Sequence, residues 1–204
     1  KNPNIEFWDH SYNYVPVLAY ITHLKGLSNT EGKIVSQDYN LKLSNNSPKE
    51  YAEIFSRKIG DKTLSLILQY DIIIFKNCFP TNKIVTDNQF NEYKTYYIKI
   101  KESLKKYPNK KFIIFTSPPL RKECNKREWT KRAMKLAEFM ISDNFINDTK
   151  NIFVFNFFKL LADKKGMLKR RYCRLIPFDS HPNLVANKTI APVFADFIIK
   201  VAEK

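Results

Sequence analysis

No apolar run in this chain reaches the roughly 18–20 residues that a helix needs to span a bilayer, so no transmembrane segment is expected among its 204 residues. Cysteine is scarce. Cys78, Cys124 and Cys173 are odd in number, widely spaced and never paired as CxxC, which argues against a disulfide framework and against a zinc site. One bridge with a leftover thiol stays open. Glycine occurs only four times, and no segment repeats. Acidic residues are outnumbered 20 to 35 by lysine and arginine, for a formal net charge of +15. Much of the excess lies in Lys99–Lys135 and Lys159–Arg174. Such a field draws anionic surfaces, acidic polysaccharides or anionic substrates. The lysines alternate with apolar residues at helical spacing, however, and no base-reading motif accompanies them. A solvated outer face is therefore expected, and a nucleic-acid partner is not. The chain opens Lys-Asn-Pro-Asn without an initiator methionine. It reads as processed or trimmed, which leaves the compartment open.

What is present is the composition of a globular protein, long enough for a single domain with a sizeable core. Ile5–Trp8 reads as a first strand running into Asp9-His10-Ser11-Tyr12-Asn13, and Val15–Leu24 as a first helix or its approach. Lys33–Tyr39 reads as a weaker second strand. Ser47-Pro48 signals a helix start, with an amphipathic pattern to Ile59. Asp71–Phe75 is a continuous β-branched run of the kind that is buried on both faces, and it ends in Lys76-Asn77-Cys78-Phe79-Pro80. A helix is expected over Asn91–Tyr107, where Tyr93, Tyr97, Ile100 and Leu104 recur at threes and fours. Lys111–Phe115 is a further strand closed by Thr116-Ser117-Pro118-Pro119. Glu128–Ser142 is helical, with Ala133, Leu136, Ala137 and Met140 on one face, and Asn151–Phe155 is another strand, running into Phe157–Ala162. Strands alternating with helices predict a three-layer α/β/α fold around a flavodoxin-like parallel sheet of about five strands.

The stretch Pro177–Asn187 carries the strongest chemical signal. An acid (Asp179), a hydroxyl (Ser180) and an imidazole (His181) precede Pro182, which suits the first turn of a helix. Leu184, Ile190, Val193, Phe194, Phe197, Ile198 and Val201 then share one helical face. A turn before a helix suits a general base and the carboxylate that orients it. The plainer reading makes Asp179 or Ser180 a helix cap and His181 a surface residue. In a parallel sheet, ligands bind beyond the carboxyl ends of the strands. Ser11, Asn77 and the Asp179-Ser180-His181 turn are all expected at that edge.

In this order of elements and in its closing Asp179-Ser180-His181-Pro182-Asn183, the chain resembles the SGNH/GDSL hydrolases. There a serine follows the first strand, an asparagine follows the third, and a late aspartate and histidine complete a triad. The resemblance implies Ser11 as nucleophile, His181 as base, Asp179 as its orienting partner and Asn77 as an oxyanion donor beside the Ser11 backbone N–H. Three departures accompany it. His10 stands directly before the serine and no glycine follows it. No glycine follows the second strand to supply an oxyanion N–H. One residue, not two, separates Asp179 from His181.

The expected activity is hydrolysis of a small acyl ester of an alcohol or carbohydrate, on an anionic carrier if the basic surface takes part. No metal and no organic cofactor are required. His10, Asn13, Lys76, Cys78 and Thr116 are candidate pocket residues, with His10 an alternative base. Each has a duller rival. Ser11 can simply end a strand, Asn77 can bond its own turn, Thr116 can close a strand, and Cys78 reads as a small buried apolar residue before it reads as a nucleophile. Rival functions are a non-catalytic carbohydrate-binding domain on the same fold and a sugar O-acyltransferase using the same triad.

Overall fold

The computed structural model describes residues 5–11, 26–29, 34–35 and 46–204, with side chains of 5–8 and 46–204. It divides the chain into two compact units, Lys1–Ser44 and Asn45–Lys204.

In the first unit, β1 (Trp8–Ser11), β2 (Gly26–Asn29) and β3 (Ile34–Val35) form an antiparallel sheet in that order. Ser11 lies opposite Gly26 as the last residue of β1. This corrects the expected first strand, placed at Ile5–Trp8 in the parallel sheet. The cause is legible in the residues: Trp-Asp-His-Ser is a polar-rich strand, unlike the apolar run that a strand covered on both faces requires. Ile5 and Phe7 are exposed. The helix expected over Val15–Leu24 lies outside the described residues.

The second unit is an α/β layered body. Its elements are α1 (Pro48–Phe55), α2 (Lys62–Ile67), β4 (Ile72–Lys76), α3 (Asp87–Leu104), β5 (Lys111–Phe115), α4 (Arg127–Ile141), α5 (Asp143–Ile146), β6 (Ile152–Phe155), α6 (Phe157–Leu161) and α7 (Leu184–Ala202). Short 3-10 turns cover Phe79–Asn82, Lys122–Cys124 and Arg170–Tyr172. The parallel sheet has three strands, in the order β4-β5-β6, where about five were expected. Among the described residues, β5 is therefore central. β4 lies at an edge, and it alternates between buried and half-buried positions instead of being covered throughout.

Side chains of a strand alternate between faces, and here each face meets its own helices. Phe112 and Ile114 of β5, with Ile73, Phe75 and Ile152, pack against Ala52 and Phe55 of α1, Tyr93, Tyr97, Ile100 and Leu104 of α3, and Leu136 and Met140 of α4. Ile113 and Phe115, with Phe155, pack against Ala186, Ile190 and Val201 of α7, joined by Phe194 and Phe197. The helical periods read from the sequence place the right residues inward on α3 and α4.

Local signals set the boundaries. Ser47, Thr86, Asn156 and Asn183 each accept a backbone N–H in the first turn of the helix that follows, which satisfies donors a helix start would leave unpaired. The short α2, which no sequence pattern announced, is capped in the same way by Asp61. Among the described residues, no helix is long and apolar enough to cross a membrane.

The entry to β6 depends on one buried amide. Asn151 Nδ2 donates to Leu104 O at 3.1 Å and to Tyr107 O at 2.9 Å, tying the end of α3 to the start of the strand. Asn151→Ala removes both of these hydrogen bonds, leaving Leu104 O and Tyr107 O only their backbone N–H partners, and is expected to cost about 1–3 kcal/mol. Urea denaturation reads this directly. An unchanged midpoint would mean those bonds hold nothing.

Candidate active site

The strand register gathers one row of residues. Lys76 pairs with Phe115, and Phe115 with Phe155, so the three parallel strands end level. Asn77, Thr116 and Asn156 follow at the same edge. Two of these have structural tasks. Thr116 Oγ1 accepts the Phe158 N–H at 2.8 Å, while Asn156 accepts from Lys159 N–H; together they launch α6. Phe115 and Phe155, with Phe157, Ile190 and Phe194, line an apolar hollow between the sheet and α7.

Asn77 is buried. Its Nδ2 donates to Ser47 O at 2.9 Å, and its Oδ1 accepts from the Tyr97 hydroxyl at 3.0 Å. The expected oxyanion donor thus uses one of its two N–H groups and its carbonyl to join the end of β4 to α1 and α3. Lys76 lends its backbone carbonyl to Tyr51.

The next residue, Cys78, reaches the turn that leads to α7. His181 Nε2 lies 3.6 Å from Cys78 Sγ, and His181 Nδ1 lies 2.6 Å from Asp179 Oδ1. The same carboxylate oxygen accepts the His181 backbone N–H at 2.8 Å. The Phe79 ring stands edge-on to the imidazole, with centroids 4.7 Å apart. The single residue between Asp179 and His181 thus lets both N–H groups of His181 close on one carboxylate. Arg174 lies 3.5 Å from the other oxygen, Oδ2.

The charges follow from the contacts. His181 is held above the usual imidazole range, chiefly by its bond to Cys78 and then by Asp179, against a partial loss of hydration. Burial alone would push the Cys78 thiol up. The His181 bond, the charges of Lys76 and His181, and the Phe79 backbone N–H outweigh it and bring the thiol below its usual range. Burial likewise opposes ionisation of Asp179, but the two His181 bonds and the charges of His181 and Arg174 hold it low. One contact thus lowers the thiol and raises the imidazole, the direction that favours proton transfer from Cys78 to His181.

The turn is held by residues outside the Asp179-Ser180-His181 signal. The cap of α7 is Asn183, so Pro182 stands ahead of the cap and not in the first turn. Asn183 Nδ2 also donates to Arg171 O and Cys173 O, both at 2.9 Å. Capping is therefore not the task of Asp179, and Ser180 is engaged elsewhere, accepting the Arg121 N–H. The Arg121 guanidinium donates to Ile176 O at 2.7 Å, and Cys124 Sγ donates to Phe178 O. Phe178 holds a φ of 63°. In a bulky residue this backbone costs on the order of 1–3 kcal/mol, and such strain concentrates at functional sites. Asn before an apolar helical pattern was the available signal for the cap. Nothing in the sequence announced Arg121 or Cys124.

Ser11 and His10 stand in β1, and Asn13 follows it. The side chains of Ser11 and His10, and the whole of Asn13, lie outside the described residues, and with them the expected meeting of Ser11 with His181. Among the described residues, no group of three or more His, Cys, Asp or Glu side chains is arranged to hold a metal ion.

No family model and no curated protein sequence matches the chain. A solved structure from Streptococcus pneumonia, provisionally named a platelet activating factor, is similar to it with a TM-score of 0.51. The two share 15% identity over 88% of this chain and 78% of the other. At that identity the likeness concerns the fold alone.

An NMR titration tests the charge arrangement. The His181 ring signals should move at a pH above the ordinary value of about 6.5. Asp179→Asn and Cys78→Ala should each bring that midpoint down, because each removes a group that favours the imidazolium. A wild-type midpoint at or below the ordinary value would contradict the geometry.

Proposed function

We propose that this chain is an acyl hydrolase in which His181 is the general base and Asp179 orients it. Its substrate is a small acyl ester, such as an acetyl ester, of an alcohol or carbohydrate. The observation that carries the reading is the 2.6 Å contact between Asp179 Oδ1 and His181 Nδ1. It fixes the ring so that Nε2 faces outward from the carboxylate, as proton transfer to and from a reacting group requires. The name of the fold neighbour, which refers to platelet activating factor, lends weak support to ester chemistry.

Asp179 would keep the imidazole in one tautomer and stabilise the imidazolium formed during each step. The basic surface favours a substrate with an anionic carrier. Ser11 is the nucleophile implied by the SGNH resemblance. A sugar O-acyltransferase would use the same base and differ in taking an alcohol in place of water. A non-catalytic binding domain gives no account of an oriented imidazole beside a strained turn.

Turnover of p-nitrophenyl acetate tests this. His181→Ala should lower the rate by on the order of 10²–10⁴-fold, and Asp179→Asn should lower it substantially while leaving the fold intact. Absence of wild-type turnover, or full turnover in His181→Ala, would sink the proposal. An added alcohol that accelerates release of p-nitrophenol would mark transfer in place of hydrolysis.

A further inference from the structure

We infer that the Cys78 thiol is the nucleophile that His181 activates, so that the acyl group is carried by this chain as a thioester. The inference rests on His181 and Asp179 being an acyl-transfer base and departs from the SGNH pattern in putting Cys78 in the role that the pattern gives to Ser11.

The three cysteines provide an internal comparison. Cys124 Sγ is turned to the Phe178 carbonyl, and Cys173 Sγ to the carbonyls of Leu168 and Lys169. Burial pushes the Cys173 thiol up. Cys78 alone of the three faces an imidazole, at 3.6 Å, and that imidazole is itself held by a carboxylate at 2.6 Å. Thiol, base and orienting acid therefore stand in series, drawn from residues 78, 181 and 179. Activated nucleophiles show this arrangement: a base within reach of the nucleophile, and a third group fixing the base. Cys78 is half-buried, and it lies two residues beyond β4, at the carboxyl edge of the sheet where ligands of such folds bind.

The chemistry balances without a cofactor. His181 Nε2 takes the Cys78 proton, and the thiolate attacks the ester carbonyl as a C–S bond forms. The C–O bond to the alcohol then breaks, and the imidazolium gives its proton to the departing oxygen. Water next attacks the thioester as Nε2 takes its proton. A C–O bond forms, the C–S bond breaks, and the carboxylic acid leaves with the thiolate restored. The sum is ester plus water to acid plus alcohol.

The groups facing the pair are Asp179 on its own turn, Lys76 at the end of β4, and Arg174 through Asp179. All three charges favour the ionised pair or its orientation. A serine nucleophile needs His181 neutral, so its rate would rise only as the pH passes the raised His181 value. The contact with His181 lowers the Cys78 thiol, so its reaction should begin below the pH at which an ordinary thiol reacts.

The test uses the whole chain with p-nitrophenyl acetate and iodoacetamide. Peptide mapping after brief alkylation near pH 6.5 should show Cys78 modified at least tenfold faster than Cys173, an advantage lost in His181→Gln. Acid-quenched turnover mixtures should carry acetyl on the Cys78 peptide, removable by neutral hydroxylamine. Cys78→Ala should abolish turnover as completely as His181→Ala does, whereas Cys173→Ala should retain it; circular dichroism would verify that each variant is folded. Turnover that needs His181 and survives Cys78→Ala overturns the thioester and leaves the base assignment standing, and fluorophosphonate labelling of Ser11 would overturn it in the same way. No turnover in the wild type, with Cys78 alkylated no faster than Cys173, overturns both.

Discussion

Everything at the candidate site depends on how β5 is buried. Phe112, Ile113 and Ile114 are at most 1% exposed, and they point alternately into the two helical layers. Burying such side chains is worth about 1.5–3 kcal/mol each, and a shift of one residue in register would send every one to the wrong layer. The strand is therefore locked in place, and its neighbours with it. Because β4 and β6 pair with β5 in parallel and end at its level, the residues just beyond them form a row. From there Cys78 reaches the turn before α7. The precision of the site thus originates in apolar packing some distance from any polar group.

The turn obeys a second constraint, imposed by hydrogen bonds. Arg121 and Asn183 between them occupy backbone carbonyls from Arg171 to Ile176, and Asn183 also opens α7. That division of labour frees Asp179. Its Oδ1 is left to the backbone N–H and the ring of His181. The left-handed backbone of Phe178 is tolerable because its carbonyl is engaged and the segments on both sides are tied down. His181 is nevertheless half-exposed, so in the free protein water weakens its pairings. A substrate that closes over the ring would strengthen them by excluding that water.

The parallel strands and the long helices could be read from the residues, the strands as short continuous apolar runs and the helices by their period of 3.6. Tyr93, Tyr97, Ile100 and Leu104 were legible as an inward stripe for that reason. The closeness of Asp179 and His181 was legible too, because two residues in one turn are neighbours whatever the fold. What the residues could not convey was long-range partnership. Cys78 and His181 are 103 positions apart, and a lone cysteine after a strand looks like any small apolar side chain. The same blindness led to the five-strand sheet: Trp8–Ser11 and Ile34–Val35 have strand character, but their pairing is with Gly26–Asn29, antiparallel. Local preference says that a segment is extended. It does not say which edge it joins.

The departures from the SGNH pattern make better sense with sulfur at the centre than with oxygen. A serine hydroxyl is a poor nucleophile until its proton is removed, and its tetrahedral intermediate depends on donors worth roughly 3–4 kcal/mol of barrier each. This chain has no glycine in the block that would supply a backbone donor, and one of the two Asn77 amide N–H groups already serves Ser47. A thiol asks less of its surroundings. An imidazole within reach lowers its pKa, so less of the activation is left to the chemical step. A site with few oxyanion donors suits such a nucleophile better than a hydroxyl. The absent glycines and the partly used asparagine amide, which weaken the serine reading, are thus surroundings that fit the proposed thiol nucleophile.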